Sequence, residues 1–456
     1  MGEIHPARRL WRWMRSALWP IPLLAISLAV ALGVGMPVVD GLLGTSGPGS
    51  PLGFVFGGGP AAARGLLAAI AGSLISVTGV IFSLTVVALQ LGSSQYSPRL
   101  LQTFATDRVV QFTLSQLTGT FVYALTVLRT VRTAEAAVGD NSFVPRVSIT
   151  LAFLFAVGSV VALVVFLGHL ARSLRVETML RDVHAEATQA VREEAQPDHD
   201  PALPPGPGTP VEAARSGFVI HVDVERLVRA ARDAGVVVAL SPRMGDAVVA
   251  GTPLAEFWRR DAGGDGDRGS LDDAVNGCVK LSYERSPGQD AAYSLRKIVD
   301  IAGRALSPGI NDPTTAVHAL SHVSALLGDL LPRRTALHAW RDDDGAVRLV
   351  VPRWTAEALL TLGLEEPLQY AAGQPAVLRR IAGLLHELAW RVRGEGLDAA
   401  LLALLDRAVE QALESTAIDN RETSGWRAAV EDALAGRWAP ARLPGSRSPA
   451  PAGEAG

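Results

Sequence analysis

The sequence predicts a chain in two parts. The first is an α-helical membrane domain of about four transmembrane helices. The second is a cytoplasmic α+β domain, with a small barrel-sandwich-like β module and a helical C-terminal part. Three observations carry this reading. Four long apolar runs, 16–39, 65–91, 109–128 and 147–171, contain no Asp, Glu, Lys or Arg. Arginines gather at the ends of those runs. After residue 172 charge returns, and short strand-like and helix-like patterns replace the apolar runs.

Each run has about the 20 residues needed to cross the hydrocarbon core. In lipid each must be helical, because unpaired backbone groups there cost several kcal/mol. The first run follows Arg8, Arg9, Arg12 and Arg15. It is too long for the apolar part of a cleaved signal peptide and is read as a helix that stays. The arginine distribution predicts an inner-membrane protein with four crossings and both termini in the cytoplasm. The N-terminal arginines and Arg172, Arg175 and Arg181 lie inside. The 40–64 loop holds only Asp40 and Arg64 and lies outside. Arg129, Arg132 and Arg146 in the third loop oppose this slightly, partly offset by Glu135 and Asp140.

Two of the runs carry a polar face. On the second, Gly72, Ser76, Gly79, Ser83 and Gln90 recur at helical spacing. On the third, Gln111, Ser115, Gly119 and Thr126 do so, with Thr118 nearby. Small residues and hydroxyls at this spacing predict a close-packed helix seam; a polar pathway through an oligomer is the alternative. The only ionisable residue within a run is His169, near an end, which argues against proton-coupled transport and voltage sensing.

Residues 172–190 read as a helix leaving the membrane, and 195–210 as a Pro-rich linker. The predicted divisions are 1–171 (transmembrane), 172–212 (juxtamembrane helix and linker), 213–260 (β module), 261–436 (mainly helical domain) and 437–456 (disordered tail). Within 217–257 the alternation of Phe218, Ile220 and Val222, with turns at Pro242, Gly245 and Gly251, resembles half of a barrel-sandwich hybrid. Such modules hold biotin or lipoate on a lysine. The chain has only Lys280 and Lys297, so a covalent carrier is excluded.

The stretch ERSPGQDAAYSLRKIVDIAGRALSPGINDPTTA, 284–316, is the most distinctive. It predicts a helix from about Gln289, with an apolar stripe of Ala292, Leu295, Val299, Ala302 and Leu306. Pro308-Gly309 stops it. Asp312 and Pro313 then read as N-cap and first residue of the next helix. The ALSPGINDPTTA run, the helix before it and the membrane portion resemble a bacterial group of predicted membrane proteins, domain-of-unknown-function family 2254. The resemblance spans roughly 15–435. It implies an integral membrane protein with a soluble C-terminal part, and implies no activity.

The corner formed by Asp290, Arg296, Asp300, Arg304, Ser307, Asn311, Asp312 and Thr314 is read first as a network of caps and ion pairs, and second as a site for a small ligand or ion. His318 and His322 have the i, i+4 spacing of metal ligands but lack an evident third ligand. His386-Glu387 begins a zinc-protease pattern that Trp390 breaks. Residues 336–352 read as a hairpin around Asp342, Asp343, Asp344 and Gly345. Helices are predicted over 354–372, 375–393, 397–415 and 422–435.

With 456 residues, two or three domains are expected. A net charge of −3 gives no basic field for nucleic acid, and the single Cys278 excludes an intrachain disulfide. No nucleophile-and-base pair or nucleotide-binding loop appears, so neither enzymatic activity nor a cofactor is expected. The sequence reading is an oligomeric channel or transport-like protein with a regulatory cytoplasmic domain. A membrane-anchored sensor or scaffold is the alternative, and a membrane-bound enzyme ranks third. The expected partners are the lipid bilayer, further copies of the chain and an unidentified small ligand or ion.

Overall fold

The computed structural model describes residues 19–42, 56–95, 107–132, 143–173, 175–193, 203–259, 268–285, 290–332 and 336–438. Arg8, Arg9, Arg12, Arg15, Glu135, Asp140, Gln289, the first half of the Pro-rich linker and the tail beyond residue 438 lie outside them. The chain divides into two compact units, Met1–Thr178 and Met179–Gly456.

The first unit holds helices α1 (Pro20–Leu42), α2 (Pro60–Gln95), α3 (Arg108–Leu128) and α4 (Arg146–Ser173). α1, α2 through Gln90, and α4 are long and apolar enough to cross a membrane. α3 is not among them. Gln111, Thr113, Ser115, Gln116, Thr118 and Thr120 dilute its apolar character, so among the described residues composition supports three candidate spans rather than four.

α3 is the central element and packs on α1, α2 and α4. Its buried polar residues include Gln111, Thr113, Ser115 and Thr120. Ser115 Oγ returns its proton to the Gln111 carbonyl (2.6 Å) and Thr120 Oγ1 to that of Gln116 (2.7 Å). Across the interface to α4, Ser159 Oγ meets Thr120 Oγ1 (3.1 Å) and Gln116 Nε2 donates to the Phe155 carbonyl (3.2 Å). α1 crosses α3 closely at Gly33, where a Cβ would lie 2.7 Å from that of Thr126.

The direction of each helix follows from its end contacts. Phe56, before α2, donates to Thr150 Oγ1 at the start of α4 (3.1 Å). Tyr123, late in α3, donates to the Ser148 carbonyl (3.1 Å). At the other end Asp107, which caps α3 through Val109 N (2.8 Å), pairs with His169 of α4. Asp40, expected in a loop, is in the last turn of α1 and fully buried. Its carboxylate accepts from Val147 N (2.9 Å), Ser148 N (2.9 Å) and Ser148 Oγ (2.6 Å), and so caps α4. The four helices therefore alternate in direction. α1 and α3 end where α2 and α4 begin.

The second unit begins within α5 (Val176–Glu193). Strands β1 (Thr209–Glu212), β2 (Gly217–Val222), β3 (Val236–Leu240), β4 (Ala247–Val248), β5 (Pro253–Arg259), β6 (Val279–Ser282), β7 (Leu337–Arg341) and β8 (Val347–Pro352) form two sheets. One has the order β1-β5-β3-β8-β7 and the other β4-β2-β6. All pairings are antiparallel except β3 with β8. Between β2 and β3 lies α6 (Val224–Asp233), and α7 (Arg268–Cys278) precedes β6.

Residues 213–260 therefore do not form half of a barrel-sandwich. Their strands are divided between two sheets, and the larger sheet is completed by the 337–352 hairpin. A helix also interrupts them: Asp223 accepts from Arg226 N and caps α6, which buries Leu227 and Ala231. β3, sequence VVVAL, buries four of its five residues, as expected of an interior strand covered on both faces.

The helical part comprises α8 (Ala291–Ala305), α9 (Pro313–Leu330), α10 (Ala356–Tyr370), α11 (Pro375–Arg391), α12 (Asp398–Leu413) and α13 (Asn420–Leu434). The stripe predicted on α8 is fully buried, against α9 and α10. The predicted hairpin and the last four helices match the observed elements to within about two residues.

Candidate functional site

The second unit contains a cavity of about 740 Å³. Five separate segments bring its wall together: the end of β2 with α6, the turn after β3, the start of α8, the β7–β8 hairpin, and the residues that follow β8. Ala190 of α5 also lies in the wall. The volume falls in the range of small-molecule sites.

Charge dominates the polar part of the wall. Arg229 and Arg232 come from α6, Arg243 from the turn after β3, Arg341 from β7 and Arg353 from beyond β8. Trp340 and Trp354 supply flat apolar surface, with Val228, Met244, Val351 and Pro352. The Arg243 guanidinium lies 4.2 Å above the Trp354 ring and also pairs with Asp246 (3.1 Å). Trp340 stands edge-on to His338 at 4.8 Å.

The carboxylates in the wall are largely engaged by the protein itself. Asp290 accepts from Tyr293 N (3.0 Å), which caps α8, and pairs with Arg285 at 2.6 Å. Burial pushes the Asp290 carboxyl above its ordinary range, against the pull of Arg285. Asp342 takes Arg348 at 2.6 Å and the backbone N–H groups of Asp344 and Ala346, and these bonds hold it below the usual carboxylate range. Asp343 meets Arg232 at 3.1 Å across the cavity mouth.

The eight residues grouped by sequence at the α8–α9 corner do not form one site. Asp290 is at the opposite end of α8, about 22 Å away at 1.5 Å per residue, and belongs to the cavity. Arg296 bridges Asp300 (2.8 Å) and Glu366 of α10 (2.6 Å) on the flank of α8. Ser307 Oγ donates to the Arg304 carbonyl (2.7 Å). Asn311 has a positive φ of 47°, and its side-chain oxygen accepts from Gln374 (2.8 Å). Asp312 accepts from Thr315 N (3.1 Å) and Thr315 Oγ1 (2.6 Å), and these bonds hold its carboxyl low. Thr314 is exposed. The corner is a capped turn.

The two polar membrane faces also separate. Gln111 and Ser115 are buried inside the bundle, and Gly119 lies against Ala25 of α1. Gly72, Ser76, Gly79, Ser83 and Gln90 are exposed, on the side of α2 away from its buried Leu67, Leu74, Ile81 and Ala88. The seam within the chain is thus α3 with α1 and α4. The small residues of α2 take no part in it.

His318 and His322 gain a neighbour that sequence spacing could not supply. His184 of α5 lies 5.3 Å from His322, ring to ring, and His318 is equally close on the other side. Burial and the two adjacent imidazoles lower the His322 pKa. Among the described residues, no three His, Cys, Asp or Glu side chains are placed to hold a metal ion. Two residues along α5, Glu186 reaches the buried Lys297 of α8 (3.0 Å).

Sequence reasoning missed the cavity, apart from Asp290. Its arginines come from α6, the turn after β3, β7 and the residues beyond β8, and the β3–β8 pairing with α6 packed on those strands brings them together.

A family model described as "Predicted membrane protein (DUF2254)" matches residues 15–387. Proteins described as uncharacterised from Mycobacterium tuberculosis and Mycobacterium bovis are 32% identical over 390 residues, covering 83% of this chain and 72% of theirs. No solved structure matches.

Proposed function

From the premise that this chain belongs to the DUF2254 family of predicted membrane proteins, we propose that it is a membrane-anchored sensor whose soluble unit binds a small polar molecule. The observation that carries this reading is the cavity of about 740 Å³, with Ala190 of α5 in its wall. α5 follows the last membrane helix after two residues. A ligand that binds one arrangement of α5 better than another shifts the balance between them.

The alternation of helix direction supports four crossings of the inner membrane. If α1, α2 and α4 span, α3 must return the chain to the side where α4 begins. Its 21 residues reach about 31 Å, enough for the hydrocarbon core. An even number of crossings puts both termini on one side, and Arg172, Arg175 and Arg181 favour the cytoplasm. Phosphatase fused after residue 50 should be active, and after residue 190 inactive; activity at 190 overturns this topology.

The channel reading has less support, because the polar face of α3 is filled by α1 and α4 of the same chain. The test uses the full chain in detergent with a panel of nucleoside phosphates, sugar phosphates, amino acids and sugars. At least one compound should raise the melting temperature and slow amide exchange in 176–193. Val228→Trp, which fills the cavity, should abolish both effects. No response to the panel overturns the sensor reading. A steady conductance in planar bilayers that persists in Val228→Trp restores the channel.

A further inference from the structure

We infer that the cavity takes a nucleoside phosphate, its base against the tryptophans and its phosphate on the arginines. This rests on the ligand-binding reading above and adds the chemical class.

The charge arrangement points to an anion. Three of the five carboxylates in the wall are committed: Asp290 to Arg285, Asp342 to Arg348, and Asp223 to the N-terminus of α6. Arg229 by contrast gives its Nε–H to a neutral acceptor, the Glu225 carbonyl (3.3 Å). A guanidinium held this way keeps its charge and most of its donors for a ligand, and its planar fork suits phosphate. Arg353 adds a second guanidinium to the wall.

The Arg232–Asp343 pair at the mouth can be exchanged. Its side chains are 43% and 94% exposed, and ion pairs in that setting contribute little. A phosphate that displaces Asp343 would therefore gain Arg232 as well.

The aromatic part points to a flat group. An inorganic anion would leave most of the cavity empty, and a sugar phosphate would leave the indoles uncovered. Trp354 is backed on one face by Arg243 at 4.2 Å, which fixes its plane as a wall. A base stacked on such a ring gains from contact between the two flat π-faces, whichever base it is. A lipid headgroup shares the phosphate and lacks the ring.

The experiment is thermal-shift and calorimetric titration of the full chain in detergent. The probes are AMP, GMP and ADP, with adenosine, inorganic phosphate, glucose 6-phosphate and short-chain phosphatidylglycerol as comparisons. A nucleoside phosphate should bind at least tenfold more tightly than adenosine, phosphate, the sugar phosphate or the lipid. Its affinity should fall with salt. Arg229→Gln and Trp354→Leu should each weaken it about tenfold or more, while the ligand-free melting temperature of Arg229→Gln, an exposed position, stays close to wild type. If glucose 6-phosphate or the lipid binds as well as the nucleotides, or Trp354→Leu has no effect, the base is not recognised and the inference fails. If only unphosphorylated members of the wider panel bind, the inference fails and the sensor reading stands. If nothing binds, both fail.

Discussion

Lys297 and Glu186 offer the most direct test of how α5 is held to the rest of the second unit. The Lys297 side chain is only 3% exposed, and Glu186 is 30% exposed. The ammonium reaches both carboxylate oxygens (3.0 and 3.3 Å) and lies 5.0 Å from the Tyr293 ring centre. The two partners should therefore respond unequally. Glu186→Ala leaves a buried cation without its counter-charge, a change that costs about 3–5 kcal/mol. Lys297→Met leaves a carboxylate that water can reach, still hydrogen-bonded by Ser294 (3.3 Å), and should cost about 1 kcal/mol. The double variant should resemble Lys297→Met alone, giving a coupling of about 3–5 kcal/mol, as large as the Glu186→Ala loss itself. At about 2–4 °C per kcal/mol, Glu186→Ala should lower the melting of the second unit by about 10 °C. Tryptophan fluorescence of the solubilised full chain would follow it, with proteolysis inside 176–193 as a second readout. Equal losses from the two single variants, or strictly additive losses, would refute the reasoning.

Three further outcomes are expected. Asp312→Ala should lose about 0.5–2 kcal/mol in urea unfolding, and Asp312→Asn should recover most of it, because an oxygen acceptor for Thr315 N remains. Gly33→Leu should break up the membrane bundle, since its Cβ meets Thr126 at 2.7 Å, whereas Gly79→Leu, with open space around it, should leave the monomer fold intact; size-exclusion profiles in detergent distinguish them. The His322 pKa is depressed by burial and by His184 and His318, so the unfolded chain takes up the proton first as pH falls below about 6.5. The stability from neutral His322 is therefore complete above that pH and is lost as pH falls through the lower folded value. Melting at pH 7.5 and pH 5 should differ more for wild type than for His322→Gln. His386, depressed by its own burial, adds to the slope in both.

The local signals were legible in the sequence. Pro308-Gly309 and Asp312-Pro313 mark one helix end and one helix start, and the structure has them there. The four apolar runs coincide with helices, because period and length suffice for that, and three of them are long and apolar enough to cross a membrane. What failed was distance. Residues 290–314 were grouped because they are close in the chain, but a 15-residue helix puts Asp290 far from Asp312. Gly72 to Gln90 and Gln111 to Gly119 look alike as helical faces; only packing shows that one is buried and the other is not. Read as short strands and turns, residues 217–257 hide α6, because Phe218, Ile220 and Val222 alternate just before it. Its Asp223 cap and the Leu227–Ala231 spacing carried the helical signal.

The parallel pairing of β3 with β8 also has a consequence during synthesis. Val238 faces Leu349, so the partner of VVVAL leaves the ribosome about 110 residues later. At about 5–20 residues per second, one edge of that strand waits on the order of 5–20 s for its neighbour. An apolar strand left open for that time is a template for wrong pairing. In the nascent chain that edge of β3 stays open until the 337–352 hairpin arrives.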